Sequence, residues 1–83
     1  MKILYFAWVR QKVGKGEEEI PLPPRVSTVA DLMVWLKNRG DGYAEVFANT
    51  SRLRVAVNQQ HAHFEASIDD AAEVAFFPPV TGG

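Results

Sequence analysis

The 83 residues of the chain suffice for one domain with a small core, and an apolar content of 47% excludes a disordered chain. Nine Lys and Arg against ten Asp and Glu give a net charge of −1, which offers no basic surface to nucleic acid. The chain has no Cys, so disulfides, thiolate nucleophiles and Cys-based metal sites are excluded. No apolar run approaches the roughly 20 residues of a membrane span or follows the pattern of a secretory signal, so we expect a cytoplasmic protein without membrane contact.

The chain begins with two predicted strands. Residues 3–9 are apolar at every position, which is typical of a central strand that is covered on both faces. Residues 14–16 predict a turn, since a phosphate loop needs a longer glycine pattern between a strand and a helix. Residues 17–22 are predicted to be extended, and Pro21 places them at a sheet edge because proline cannot donate to a ladder. The three Glu residues of this segment are expected to be solvated.

The main helix is predicted to begin at Thr28. The Thr28 hydroxyl can cap the helix, and Asp31 completes a reciprocal capping pair. The apolar residues that follow have helical spacing and are predicted to face the core: Val29, Leu32, Met33 and Leu36. The helix should end near Arg39, where Gly40 can adopt the left-handed conformation of a C-terminal cap, and Trp35 should pack at the margin of the core.

The second half of the chain predicts a short helix at residues 43–48 and a strand at residues 52–57. The strand alternates between apolar and polar positions, so one of its faces should be covered. Residues 61–64 should pair briefly between two turns. His61 and His63 share a face of that segment, but no third ligand is evident, so we predict surface histidines and no metal site.

Residues 73–77 form the last predicted strand, and apolar positions on both faces mark it, like the first strand, as central. A right-handed crossover through the main helix would let these two strands lie parallel and adjacent. The order of elements therefore predicts an α+β fold, the β-grasp or ubiquitin-like fold, with one main helix packed across a mixed sheet. Residues 1–77 form this domain, and residues 78–83 form a protruding, extended C-terminal tail.

The tail has the composition of a rigid mount with a thin tip. Pro78 and Pro79 favour an extended backbone. Gly82 and Gly83 have no Cβ, so they can lie in a slot that admits no other residue. We therefore predict that the C-terminal carboxylate of Gly83 is the reacting group.

Several segments of the chain have the residues of one known family. They are VAVNQ at residues 55–59, EVAFFPPV-x-GG at residues 73–83, TVADL at residues 28–32, Phe6-Ala7 and Arg10. On these residues the chain resembles the small, sulfur-carrying subunit of molybdopterin synthase, a ubiquitin-like sulfur carrier, over nearly its whole length. It departs from the family pattern at Ala71-Ala72, where Gly-Asp is usual, and at His61, where an apolar residue is common.

The resemblance implies a function in molybdenum cofactor biosynthesis. A ubiquitin-activating-type enzyme would consume ATP to adenylate Gly83, and a sulfur donor protein would displace AMP and leave a thiocarboxylate. The large synthase subunit would then take the sulfur into the dithiolene of molybdopterin. The chain would bind no cofactor and would not be an enzyme on its own. The tail residues implied are Pro78, Pro79, Val80, Thr81 and Gly82, and the partner contacts implied are Phe6, Arg10, His61 and Phe77.

A diglycine end alone leaves other functions open. It is shared by sulfur carriers of other pathways, such as thiamine synthesis, and by ubiquitin-like modifiers that are joined to lysines through Gly83. A β-grasp interaction module with an inert tail is a further alternative. A thiocarboxylate, a lysine conjugate and an unmodified acid differ in mass, so the intact mass of the chain distinguishes them.

Overall fold

The computed structural model describes residues 1–79, which form a five-stranded sheet, three α-helices and one 3-10 turn. The strands are β1 (Lys2–Tyr5), β2 (Glu17–Glu19), β3 (Arg54–Val57), β4 (Gln60–Ala62) and β5 (Glu73–Phe77). The helices are α1 (Ala7–Val13), α2 (Val29–Lys37) and α3 (Asp41–Ala48), and the 3-10 turn (Thr50–Arg52) precedes β3.

The strands have the order β2-β1-β5-β3-β4. β1 and β5 are parallel, with Tyr5 opposite Phe76, whereas the other neighbouring pairs are antiparallel. The predicted parallel pairing of the first and last strands is therefore confirmed, as is the edge position of β2. This mixed sheet with helices packed on it is the predicted α+β β-grasp fold, and β5 occupies its centre.

The predicted first strand is wrong beyond Tyr5. The chain turns at Phe6 and continues as α1, in which Val9 is fully buried. An unbroken apolar run has no period that separates a strand from a helix, so the sequence pattern could not locate this change. α1 ends at Gly14, whose φ of 93° lies in the left-handed region that favours glycine. The main helix is thus accompanied by a helix that the sequence did not predict.

The start of α2 is as predicted. The Thr28 hydroxyl accepts from the backbone N–H of Asp31 at 3.1 Å, and the backbone N–H of Thr28 donates to the Asp31 carboxylate at 3.2 Å. All four apolar residues of the predicted stripe are buried, and Trp35 is half-buried at the core margin. The predicted end is wrong, because α2 ends at Lys37 and Gly40 instead caps the N-terminus of α3.

The hydrophobic core lies on one face of the sheet. Inward-facing residues of the strands form a single cluster with the buried residues of the helices; its largest fully buried side chains include Ile3, Tyr5, Val9, Leu32, Leu36, Leu53 and Phe76. Leu4, Ala56 and Ala75 alternate with inward residues and do not belong to this cluster. The prediction that the first strand is covered on both faces is therefore wrong, and the face turned away from the helices is called here the outer face.

Asn58 joins the β3–β4 turn to the start of β5. Asn58 and Gln59 have φ of 50° and 69° between the paired residues Val57 and Gln60, which is the geometry of a two-residue hairpin turn. The Asn58 side-chain oxygen accepts from the backbone N–H groups of Ala72 and Glu73 at 2.9 and 3.1 Å. The loop before β5 is held by this side chain and has no residue with positive φ, so Ala71-Ala72 needs no glycine.

α1 and α3 approach each other closely at Gly42. A Cβ built on Gly42 would overlap the carbonyl oxygen of Lys12 near the end of α1. The Lys12 ammonium also forms an ion pair with Glu45 of α3. Glycine at position 42 therefore allows α1 to pack on α3, which fixes α1 beside the end of the sheet.

Candidate functional site

The last strand ends next to the start of α1. β5 lies between β1 and β3, and its pairing continues to Phe77. The backbone N–H of Phe6 donates to the carbonyl of Phe76 at 3.1 Å. Pro78 and Pro79 follow and are half-buried. Because β5 pairs with β1 on one side and with β3 on the other, the point at which the chain leaves the sheet is fixed. The predicted tail residues Val80, Thr81, Gly82 and Gly83 lie outside the described residues, and the reacting role of Gly83 stays a prediction.

The outer face beside this point is apolar. Leu4 and Ala56 both lie opposite Ala75, so their side chains point to the same side of the sheet. Phe6 is 48% exposed, and Phe77 is half-buried. We call these five residues the exit patch: Leu4, Phe6, Ala56, Ala75 and Phe77. Phe6 is its exposed member, Leu4, Ala56 and Phe77 are half-buried, and Ala75 is buried at its centre. Contiguous apolar surface of this kind marks interaction sites, and here it adjoins the last residue before the tail.

Phe6 is held at the surface by the backbone. Tyr5 points into the core, and Phe6 continues the extended conformation with φ −124° and ψ 154°, so its side chain points outward. Ala7 then has a φ of 54°, which starts α1 at a cost of about 1–2 kcal/mol for a residue with a Cβ. This turn keeps the large aromatic side chain of Phe6 out of the core. Phe6 therefore lies at the surface beside the start of the tail, the position expected from the sequence.

His61 and Phe77 are brought together. The two rings pack edge to face with centroids 5.4 Å apart. His61 lies opposite Ala56 and therefore on the outer face, at the border of the exit patch. Arg54 lies opposite Phe77 and is exposed on the same face. The sequence alone does not identify Arg54, because alternation predicts an exposed face for β3 but not which residue of β5 lies across from it.

Arg10 lies at the same end of the sheet, on the α1 side. Its guanidinium extends over the loop between α1 and β2, since a Cβ on Gly16 would lie 3.2 Å from the guanidinium carbon. A cavity of about 540 Å³ opens there, and Lys15 also lines it. The predicted partner contacts Phe6, His61 and Phe77 thus flank the exit of β5, and Arg10 is at their margin; their binding roles stay predictions.

Glu18 corrects the prediction that the Glu triplet is a solvated edge. Its side chain points inward and is only 9% exposed. The hydroxyls of Tyr5 and Tyr43 donate to one carboxylate oxygen at 2.7 and 2.8 Å, and Arg39 donates to the other at 2.8 Å. This network joins β2 to the connection between α2 and α3. The inward orientation of Glu18 could not be predicted without the tertiary fold, because nothing in the sequence distinguishes Glu18 from Glu17 and Glu19.

The network shifts the pKa of its members. Burial alone would raise the pKa of Glu18, but the hydrogen bonds from Tyr5, Arg39 and Tyr43 outweigh it and hold the pKa below its usual value. Burial and the bond to the carboxylate raise the pKa of both tyrosines. The Glu18 charge is therefore stabilised by the fold, and the network is structural, on the helix side of the sheet.

Residues 1–79 hold neither a group of metal-ligating side chains nor a membrane-spanning helix. No cluster of three or more His, Cys, Asp or Glu side chains has the arrangement of a metal site in this part of the chain. The exposed His61 contacts an aromatic ring instead, as described above. No helix of the described chain is long and apolar enough to cross a membrane.

The fold and the exit geometry define a ubiquitin-like β-grasp domain in which the central last strand leads directly into the C-terminal residues. The ThiS family matches residues 3–83, and the chain belongs to this family. It is 39% identical over 83 residues to the molybdopterin synthase sulfur carrier subunit of Escherichia coli (strain K12), covering 100% of this chain and 99% of that protein. The protein of the same name from Haemophilus influenzae is 34% identical with the same coverage. The resemblance inferred from the sequence is confirmed.

Solved structures agree on the fold. A structure from Pyrococcus furiosus, described as a molybdopterin converting factor, subunit 1, has a TM-score of 0.74 at 33% identity and covers 95% of both chains. SAMP1 from Haloferax volcanii has a TM-score of 0.65 at 24% identity, covering 100% of this chain and 98% of that one. The second likeness supports the β-grasp fold alone.

Proposed function

We propose that this chain is the sulfur carrier subunit of a molybdopterin synthase and is not an enzyme on its own. The observation that carries the proposal is the similarity to the Escherichia coli sulfur carrier subunit over the whole chain, together with a family match that continues through Gly83. The central position of β5 supports it, because a strand paired on both sides directs the residues that follow it away from the sheet. Its main partner would be the large synthase subunit.

The first chemical step is activation of the Gly83 carboxylate. A carboxylate is a poor electrophile, so one of its oxygens attacks the α-phosphorus of ATP, pyrophosphate leaves, and an acyl-adenylate forms. We assign this step to a ubiquitin-activating-type partner that binds and consumes the ATP, and we expect no cofactor on this chain. The contribution of this chain's own residues is a thin, extended end that reaches that site.

The second step places sulfur on the same carbon. Hydrosulfide released by a sulfur donor protein attacks the carbonyl carbon and loses its proton, the AMP oxygen leaves with the bonding electrons, and a thiocarboxylate remains. In the large subunit the thiocarboxylate sulfur displaces an oxygen substituent from a carbon of the pterin precursor and forms a thioester. Water then attacks the Gly83 carbonyl carbon, the C–S bond breaks with the sulfur left on the pterin, and Gly83 returns to a carboxylate. Two loaded carriers supply the two sulfurs of the dithiolene.

The exit patch would hold the carrier on its partners. Phe6, Phe77 and His61 are proposed as contacts, and Arg10 as a contact at the margin. The tail residues Pro78, Pro79, Val80, Thr81 and Gly82 would thread into the partner's active site. The cytoplasmic location that the composition predicts fits partners of this kind and stays a prediction.

The proposal is tested with variants of the tail. Wild type, a chain lacking Gly83, a chain with one added residue and Gly82→Leu are incubated with the activating enzyme, ATP and a sulfur source, and each intact mass is measured. One residue moves the carboxylate by up to about 3.6 Å, and a misplacement of about 1 Å can cost a factor of about 100 in rate. We expect a thiocarboxylate on wild type only, with equal thermal midpoints for all four chains.

Other outcomes separate the alternatives. A Gly83-deleted chain that still becomes thiocarboxylated would remove the terminus from the mechanism. A mass that reports a conjugate to lysine would instead identify a protein modifier. An unmodified wild-type chain would leave an interaction module with an inert tail, and a loaded chain that supplies sulfur only to a thiamine precursor would identify the carrier of another pathway.

A further inference from the structure

Arg54 stands beside the end of β5 on the outer face. We propose that Arg54 is a specificity-determining contact that binds a carboxylate of the large synthase subunit when that subunit covers the exit patch. This inference rests on the proposed function, because it names the chemistry that the partner presents at the same surface. It adds a charged, directional contact to a patch that is otherwise apolar.

The register of the sheet places Arg54 at this border. Arg54 lies directly opposite Phe77, and residues that face each other on antiparallel strands point to the same side of the sheet. Phe77 is the last residue before the two prolines, and His61 packs against its ring. A partner that buries Phe77 therefore comes within reach of the Arg54 side chain.

The Arg54 guanidinium has donors to spare. One nitrogen donates to the carbonyl of Leu53 at 2.9 Å, which uses one of five N–H donors. The ion pairs found within residues 1–79 use other cations: the N-terminus, Lys2, Lys12, Lys15 and Arg39. An Arg at the edge of an apolar patch is typical of interfaces, because its planar fork matches a carboxylate with two parallel hydrogen bonds.

The charges of the outer face give the partner an orientation. Glu73 lies at the start of β5, opposite Lys2, and Glu17 and Glu19 lie on the edge strand β2. Glu73 and Glu19 are at the end of the sheet away from the tail. Glu17 is three strands from β3 and forms an ion pair with Lys2, whereas Arg54 is at the tail end. A partner with a carboxylate at the tail end therefore matches this distribution, and the same partner turned around would not.

A cavity next to Arg54 on the core side of the sheet does not compete for the carboxylate. The β3–β4 ladder ends at Val55 and Ala62, and the chain then turns toward α2, where the backbone N–H of Ala30 donates to the Phe64 carbonyl. The gap is a cavity of about 250 Å³. Its lining includes Leu53, Arg54, Ala62, Phe64 and Glu65. Leu53 and Ala62 lie on the core side of the sheet, and the Glu65 carboxylate repels a second carboxylate from this cavity, so a partner carboxylate meets Arg54 on the outer face.

The test compares the affinity of the large subunit for four chains by calorimetry at low and high salt. They are wild type, Arg54→Glu, Arg54→Gln and Arg25→Glu. Arg25 is exposed in the loop after β2, at the end of the sheet opposite the tail, so its variant makes the same change of net charge at a remote place. We expect Arg54→Glu to weaken binding by about tenfold or more at low salt, Arg54→Gln to lie between it and wild type, and Arg25→Glu to match wild type.

The salt dependence decides the mechanism. The difference between wild type and Arg54→Gln should shrink at high salt, because screening weakens a charge pair at the rim. Equal affinities for Arg54→Glu, Arg54→Gln and Arg25→Glu would overturn the inference while leaving the proposed function intact. If wild type itself neither binds the large subunit nor becomes thiocarboxylated, the proposed function fails with it. Thermal unfolding of each variant shows that the compared chains are folded.

Discussion

Replacing Phe6 by Ala tests the exit patch most sharply. Phe6 is 48% exposed in the isolated chain, and a Phe side chain that is fully buried removes roughly 150–250 Å² from water. A partner that covers the exposed half would bury roughly 80 Å², worth about 2 kcal/mol at about 25 cal/mol per Å². Phe6→Ala should therefore weaken binding to the large subunit by a factor of about 30. The loss of stability should be small, because the ring lies outside the core cluster.

Calorimetry with the large subunit provides the assay, and Val34→Ala provides the matched control. Val34 is 64% exposed on α2, on the helix side of the sheet, so it also removes exposed apolar surface but away from the exit patch. We expect Val34→Ala to bind like wild type. Equal affinities for Phe6→Ala and wild type, or equal losses for both variants, would refute the placement of the interface.

Three further substitutions test the packing of the domain. Gly42→Ala should lower the free energy of unfolding by about 1–3 kcal/mol, because its Cβ overlaps the Lys12 carbonyl. A raised Tm, as expected of Gly→Ala in an open helix, would contradict the close approach of α1 and α3. Glu18→Gln should make the free energy of unfolding depend less on pH in the acidic range. The lowered pKa of Glu18 gives the wild type a contribution that is complete above the unfolded-state pKa and is lost as the pH falls through the folded pKa, so parallel urea-unfolding profiles would count against the network. Gln59→Gly should raise the free energy of unfolding by about 0.5–1 kcal/mol, since the φ of 69° at Gln59 favours glycine. An unchanged urea midpoint would argue against a left-handed conformation at this residue.

Most of the fold follows from local patterns that the tertiary structure does not override. The capping pair of Thr28 and Asp31 and the stripe from Val29 onward locate α2, and apolar alternation locates β3. The prediction fails at α1, where an uninterrupted apolar run serves one buried strand and then one helix. It also fails at Gly40, because a glycine between two helices can belong to the end of one or the start of the next.

The candidate site was predictable in part. Phe6, His61 and Phe77 could be assigned to one surface from the family resemblance, and the structure places them at one end of the outer face. Arg54 could not be found in this way, because its position depends on the register between β3 and β5, which are distant in sequence. The inward orientation of Glu18 depends likewise on the register of β2 against β1.

The central claim is that sulfur passes from this chain to the pterin. The chain is loaded with isotopically labelled sulfur, freed of ATP, activating enzyme and sulfur donor, and mixed with the large subunit and the pterin precursor. The label in molybdopterin and the intact mass of the chain are then measured. We expect the label to appear in the dithiolene while the chain returns to the mass of its carboxylate. Label that stays on the chain, or molybdopterin that forms without it, would contradict the account.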